Sequence, residues 1–489
     1  MAFDQIPSNL RVPLSYFEFN NSKAVQGTPS VNYKRLIIGQ RLSTGTVAAG
    51  VPTLITNAAA ADEMAGKGSM LAAMLKAAIF ANQWMETWFI ALDEDAAGNA
   101  AAGSVAIAGP ATGAGTINLY IAGTRVRVGV ASADTAADIA TAIVAAITAD
   151  TSLPVTAQVD GVNTAKVNIT CRWKGLTGND IDLRDSYYFG EQLPAGLTLT
   201  YVAMSGGTAN PDIGNATAVF GDEWWHSIIT PYTDAANLAT LNDVLLDRWG
   251  PMMQMEGIAY GAFRGTLSEA GTFGNTRNDF LISIMGTNLI PTSTWEFAAS
   301  VGSVAAQSLS IDPARPLQTL KIPGVLPPAV AARWMNSERN ILLYDGISTY
   351  TIDAGGYARI EAQITTYQKN AYGDADESYL YVNTIATLGY IRYAFRTDIN
   401  AKYPRHKLAE DGIDYDPSQP IVTPSILRRT ILAKAKQLAL AGILEDFEAF
   451  KEGLVVERDV NNLNRVNAYI RPDLVNQFRI FAAQIQFIL

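Results

Sequence analysis

YKRLIIGQ (33–40), MLAAMLKAAIFANQW (70–84) and ETWFIAL (86–92) decide the fold. The first and third are short apolar runs of strand length. The stretch between them places Leu71, Leu75, Ala78 and Ile79 at helical spacing, as core packing does. Strand, helix and strand in this order form a β-α-β unit, which builds parallel sheet with helices on its faces.

The pattern stops at Asp93-Glu94-Asp95, where the chain turns into Ala-, Gly-, Ser- and Thr-rich sequence as far as Asn210. Within that tract TINLYIAG (116–123) and TRVRVGV (124–130) read as a hairpin. An Ala-rich helix begins at Asp134-Thr135, with Ile139, Ile143, Val144 and Ile147 as its stripe. The strands VTAQVD (155–160) and AKVNITCRW (165–173) follow. KGLTGNDIDLR (174–184) reads as a solvated turn, because Asp180, Asp182 and Asp185 lack the ligand spacing of a calcium loop. From Phe220 the α/β pattern returns, with HSIITPY (226–232), a helix over Asn237–Trp249, EGIAYGAF (256–263) and NDFLISIMG (278–286). Two half-patterns around a different tract imply one discontinuous α/β core (23–93 and 211–356) carrying an inserted β-rich domain (94–210). Helical spacing recurs over Trp295–Leu309, RPLQTLKIPGVLPP (315–328) is a connector, and ILLYDGISTYTID (341–353) is strand-like around an Asp345-Gly346 turn.

A C-terminal α+β domain (357–464) contains helical stretches over Tyr379–Arg396 and Ser425–Ala441. The second carries Arg428, Arg429, Lys434 and Lys436, which form either a solvated face or a charged partner contact. The last segment (465–489) alternates as a half-buried strand in RVNAYIR and is punctuated by Pro472-Asp473. It resumes at Phe478, Ile480 and Ala482, slips by one residue, and continues through Ile485, Phe487 and Leu489. Such an end either closes its own core or is lent to another molecule as an added strand. At the other terminus, residues 1–22 hold Val12, Leu14, Tyr16, Phe17 and Phe19 in an extended arm that needs a docking surface, or in an edge strand of its own domain.

Composition narrows the function. The net charge of −10, with no basic stripe, argues against nucleic-acid binding. One cysteine, Cys171, allows neither an intramolecular disulfide nor a thiolate zinc site. No secretory leader opens the chain, and no apolar run is long enough for membrane insertion, so a cytoplasmic, soluble chain is expected. His226, beside Trp225 and an apolar strand, reads as a packed core imidazole, and His406 as solvated. Nucleophile-elbow, phosphate-loop and HExxH motifs are lacking, and the glycines of 109–115 match no dinucleotide fingerprint. Asp93 with Asp95, or Asp374 with Asp376, are unspecific carboxylate pairs. The expectation is a non-enzyme without cofactor or metal.

The order of these pieces resembles the tail sheath proteins of contractile phages, particularly the Mu-like group, over essentially the whole chain. The residues behind the resemblance are NYKRLIIGQR (32–41), the inserted GTINLYIAGTRVRVGV (115–130), DTAADIATAI (134–143) and KGLTGND (174–180), the segment 355–399 from GGYARIEAQ to FRTDI, and the ending 465–489. The resemblance implies six-subunit rings stacked around a tail tube in a virion tail assembled in the host cytoplasm, with baseplate and tail terminator proteins as further partners. It implies a subtilisin-like core without catalytic residues and a tube-facing C-terminal domain, where Arg428, Arg429, Lys434 and Lys436 would meet the tube. It also implies terminal arms that add strands to neighbouring subunits, through Val12, Leu14, Tyr16, Phe17 and Phe19 at one end and Phe478, Ile480, Ile485 and Phe487 at the other. The sheath of a phage-tail-like bacteriocin or secretion machine shares this mechanism. A carboxylate-based polysaccharide hydrolase is the alternative from another class.

Overall fold

The computed structural model describes residues 31–413, 415–416 and 418–488. The arm residues Val12, Leu14, Tyr16, Phe17 and Phe19 lie outside them. In the α/β core, strands β1 (Lys34–Gln40), β2 (Pro52–Ile55) and β3 (Glu86–Leu92) precede the insertion. The insertion holds β4 (Ala100–Ala108), β5 (Gly115–Ile121), β6 (Thr124–Val130), β7 (Val155–Val159), β8 (Lys166–Lys174), β9 (Leu183–Asp185) and β10 (Thr198–Ser205). Strands β11 (Ser227–Ile229), β12 (Ile258–Phe263) and β13 (Ile282–Gly286) follow it.

The main sheet has the order β13-β12-β11-β1-β3-β2, parallel except for β2 at one edge. Strand β1 is therefore interior and bonded on both sides, to β3 before the insertion and to β11 after it. This pairing joins the two half-patterns into one domain. Leu36, Ile37 and Ile38 are fully buried, as a strand covered on both faces requires. The helices Met70–Ala81 and Thr294–Ile311 pack together over this sheet. Ser69 caps the first by accepting from Ala72 N at 3.0 Å. Arg35, buried within β1, donates to the carbonyls of Ala78 at 2.9 Å and Asn82 at 3.2 Å, so a strand residue closes that helix's far end. Gly302 lets the second helix approach closely, since a Cβ there would stand 2.9 Å from Ile229.

The insertion is β-rich as expected, with a four-stranded antiparallel sheet β10-β4-β8-β7 and a three-stranded sheet β6-β5-β9. Its helix Ala136–Ala149 starts at a Thr135/Asp138 capping box and buries Ile139, Ile143 and Ile147. The 174–184 stretch departs from the sequence reading. Far from a solvated turn, it is a buried joint between insertion and core. Asp182 pairs with Arg264 at 2.7 Å and with Arg184, Thr294 Oγ1 donates to Asp180 at 3.0 Å, and Trp173 meets Trp295 edge-on at 5.4 Å. Burial pushes the Asp180 carboxyl up to about 6.

Two further differences follow from local contacts. Residues 341–344, expected as strand, instead end a helix, Asn336–Tyr344, whose first turn is fixed where Glu338 accepts from Met335 N at 2.6 Å. The Asp345-Gly346 turn is present, with Gly346 at φ +76°, and leads into Thr349–Ile352. That strand pairs antiparallel with Ala358–Ala362, so residues 357–389 belong with the α/β unit. The chain divides into two compact units, residues 32–389 with the last residues from Gln477, and residues 390–476. The boundary expected at 357 instead falls inside the continuous helix Val382–Lys402.

In the 390–476 unit the helix Pro424–Leu440 is capped by Thr423, and Phe395 stacks on Phe450 at 6.2 Å. Val455–Arg458 and Val466–Tyr469 form an antiparallel pair, so the RVNAYIR stretch is a strand as its alternation predicts. Among the described residues the renewed alternation from Phe478 forms no strand.

Candidate intersubunit surfaces

Among the described residues the C-terminal arm is the most unusual surface, because its apolar side chains are mostly exposed. Its base is held by backbone. Glu445 N donates to Asp473 O at 3.0 Å, Val475 N to Ile443 O at 3.2 Å, and Leu474 bridges Leu444. Further along, residues 477–479 lie on the α/β unit through side chains. Gln477 Nε2 donates to Ala314 O at 2.9 Å, Gln318 Nε2 to Phe478 O at 3.2 Å, and the Arg479 guanidinium lies 3.5 Å over the Tyr381 ring. From Phe478 onward the arm presents apolar groups to solvent. Phe478 is 72% exposed, Ile480 85%, Ile485 89% and Phe487 77%. Of the two readings left open by the sequence, closure of the chain's own core does not hold.

A complementary feature lies in the other unit. The Val455–Arg458/Val466–Tyr469 pair is two-stranded, and Val455 and Tyr469 are largely exposed. Its turn is preorganised by Asp459, which accepts from Asn461 N at 2.8 Å, Asn462 N at 2.9 Å and Asn467 Nδ2 at 2.9 Å, holding its carboxyl below the usual range. A two-stranded ribbon is marginal alone, and among the described residues its outer edges pair with no further strand, which is where another strand can add.

The N-terminal root is built differently. Tyr33 stacks on His226 at 4.3 Å, and His226 on Trp224 at 4.7 Å. Lys34 pairs with Glu223 at 2.5 Å and Glu86 at 3.7 Å and lies 6.0 Å from the rings of Trp88 and Trp225. His226 accepts from Lys34 N at 3.2 Å, and burial lowers its pKa to about 3, so it is the packed neutral imidazole its neighbours predict.

The basic helix face is corrected by burial. Lys434 is 3% exposed and pairs with Asp398 at 3.4 Å, so it is a core cation and cannot meet a partner. Arg428 donates to Lys451 O at 2.8 Å and Leu454 O at 3.4 Å, tying its helix to the neighbouring segment. Arg429 and Lys436 remain exposed, seven residues apart and thus on one helix face. Positional counting alone could not separate these, because four cations within nine residues cover most of a helix circumference.

Three of the four carboxylates singled out from the sequence are engaged locally. Asp93 pairs with Arg41 at 2.7 Å, Asp95 accepts from Ala97 N at 2.7 Å, and Asp376 accepts from Tyr367 Oη at 2.6 Å. His406 is exposed beside Tyr403. Burial pushes the Cys171 thiol up to about 12. Among the described residues no three His, Cys, Asp or Glu side chains gather as metal ligands, and no helix is long and apolar enough to cross a membrane. The mooring by Gln477 and Arg479 was missed from sequence. Its one signal is a lone arginine interrupting an apolar alternation.

Comparison with known proteins gives these surfaces a context. The phage tail sheath protein central domain matches residues 206–366, and the phage tail sheath C-terminal domain matches residues 374–488. The chain is 49% identical over 489 residues, the full length of both, to the Mu-like prophage FluMu tail sheath protein of Haemophilus influenzae. Among solved structures it is similar to the sheath tail protein of Desulfitobacterium hafniense, at 14% identity and TM-score 0.48 over 94% of this chain and 96% of that one. It is also similar to the helical sheath of the anti-feeding prophage in its contracted state, at 10% identity and TM-score 0.48 over 98% and 99%. The chain belongs to the tail sheath protein family of Mu-like phages.

Proposed function

We propose that this chain is the structural subunit of a contractile tail sheath, polymerising as stacked hexameric rings around a tail tube. Contraction drives the tube through the host envelope for genome ejection. The observation that carries the reading is the uncovered apolar arm beyond Arg479 on a chain of this family. Burying Phe478, Ile480, Ile485 and Phe487 at about 1.5–3 kcal/mol each supplies roughly 6–12 kcal/mol before the cost of association. The open ribbon of Val455–Arg458 and Val466–Tyr469 supplies unpaired edges to receive such a strand. A subunit that both gives and receives an arm makes a heterologous contact, and one that does not close generates a helix of indefinite length.

On this reading the partners are the chain itself, the tail tube, the baseplate and the tail terminator, with assembly in the host cytoplasm and residence in the virion tail. The α/β core serves as a subtilisin-like scaffold without catalytic residues, and the protein has no enzymatic role. Arg429 and Lys436 are the cations left to face the tube. Cryo-electron microscopy of the purified chain with its tube protein tests this directly. Striated, six-fold tubes that shorten and widen on mild denaturation are expected. A chain that stays monomeric at high concentration with tube present would overturn the proposal.

A further inference from the structure

The two halves of the arm are held by different kinds of contact. Residues 473–475 are fixed by backbone hydrogen bonds, whereas among the described residues the hydrogen bonds that hold 477–479 all involve a side chain. Arg479 is partly buried against Tyr381, with Asn383 Oδ1 at 3.4 Å and Gln477 Oε1 as its acceptors. Its Nε has no hydrogen-bond partner among the described residues, and no carboxylate pairs with it there. A desolvated cation served only by amide oxygens and a ring face is incompletely compensated. Little apolar burial adds to the hold, since Phe478 and Ile480 on either side of Arg479 are mostly exposed. The receiving surface is nonetheless built. Asn383 is buried and fixed by donating to Pro313 O at 3.0 Å and Arg315 O at 2.8 Å, so its oxygen is aimed at the arginine.

We propose that residues 477–479 are a latch, closed in the free chain and opened during contraction to pay out arm. The inference rests on the sheath reading above. With the latch closed, the free end begins at Ile480, and ten residues reach at most about 33–36 Å. With it open, the end begins at Gln477, and thirteen residues reach about 43–47 Å. If the linked subunits move apart as the sheath contracts, an open latch gives the link up to roughly 10 Å more chain without breaking its far end. Holding by reversible side-chain contacts, with backbone pairing reserved for the base, suits that release.

Cysteines at Ala314 and Gln477, joined by a reducible bis-maleimide, hold the latch shut. Native Cys171 is buried and does not compete. Crosslinked full-length tubes are expected to keep their extended length in dilute denaturant and to contract fully once the linker is reduced. Crosslinked tubes that contract to the same length as uncrosslinked ones would overturn the latch. A second arm needs no tubes. In the free chain, Arg479→Ala should slow crosslinking between cysteines at 314 and 477 at least tenfold, because the arm then spends less time on the α/β unit. Unaltered crosslinking would equally overturn the latch. If the wild-type chain forms no tubes at all, the sheath reading fails, and the crosslinking rate still decides whether the closed latch exists.

Discussion

The first and the last of the described residues are fastened in opposite ways. Where the described residues begin, the chain enters directly into β1, an interior strand bonded on both sides, and is flanked by the Tyr33–His226–Trp224 stack and the Lys34 ion pairs. At the other end it leaves a two-stranded ribbon, touches the α/β unit through three residues, and then exposes Ile480, Ile485 and Phe487. One root is part of the core and the other end is not. On the proposed sheath reading, the difference teaches that stability and assembly are encoded in separate stretches, so each can be damaged without the other.

The largest effects should fall on the core side. Replacing fully buried Ile37 with Ala should cost about 2–5 kcal/mol in denaturant unfolding, as cavity-forming changes do. Lys434→Glu should be comparably severe, about 3–5 kcal/mol, because it leaves Asp398 facing a like charge in the interior. Arg429→Glu with Lys436→Glu, on the exposed face of the same helix, should stay within about 0.5 kcal/mol of wild type yet weaken co-assembly with tube in a salt-dependent way. Equal loss of stability in both variants would erase the distinction between buried and presented cations.

Much of that distinction was beyond the sequence. The β-α-β start, the inserted hairpin and the Ala-rich helix were legible because each keeps one hydrophobic period over several residues. Lys434 was not, because a lysine paired to Asp398 on another helix reads the same as a solvated one. The boundary at Gly389–Tyr390 was hidden for a different reason, since Val382–Lys402 runs through it as one helix with no break in composition. The 174–184 stretch looks like a turn by its Gly, Asn and Asp content. Its carboxylates are instead met by Arg264, Arg184 and Thr294, and all but Arg184 come from beyond the insertion. At the C-terminus the unpaired alternation was readable, but its mooring was not, because the partners Ala314, Gln318, Tyr381 and Asn383 are remote in sequence.

A mid-sized effect probes that joint. The folded pKa of Asp180, about 6, lies above its ordinary 3.8, so the native state binds the proton more tightly. Its contribution is most favourable below pH 4 and is lost as pH rises through 6. The stability gap between Asp180→Asn and wild type should therefore widen by about 1–3 kcal/mol between pH 4 and 7 in favour of the variant. A gap that does not change with pH would mean that the carboxyl is not desolvated. The smallest stability effect belongs to the arm. Ile485→Ser should leave the free chain's melting unchanged, within about 0.5 kcal/mol, while raising the concentration needed for tube formation. A clear drop in melting would place Ile485 in the chain's own core.

The most direct measurement compares the full chain with one ending at Arg479, which keeps the paired base and the moored residues, by electron microscopy, sedimentation and thermal melting on the same samples. The full chain should form striated tubes, and the shortened one should stay monomeric with an unchanged melting temperature. Tubes from the shortened chain, or its unfolding, would show that the last strand is not the link between subunits.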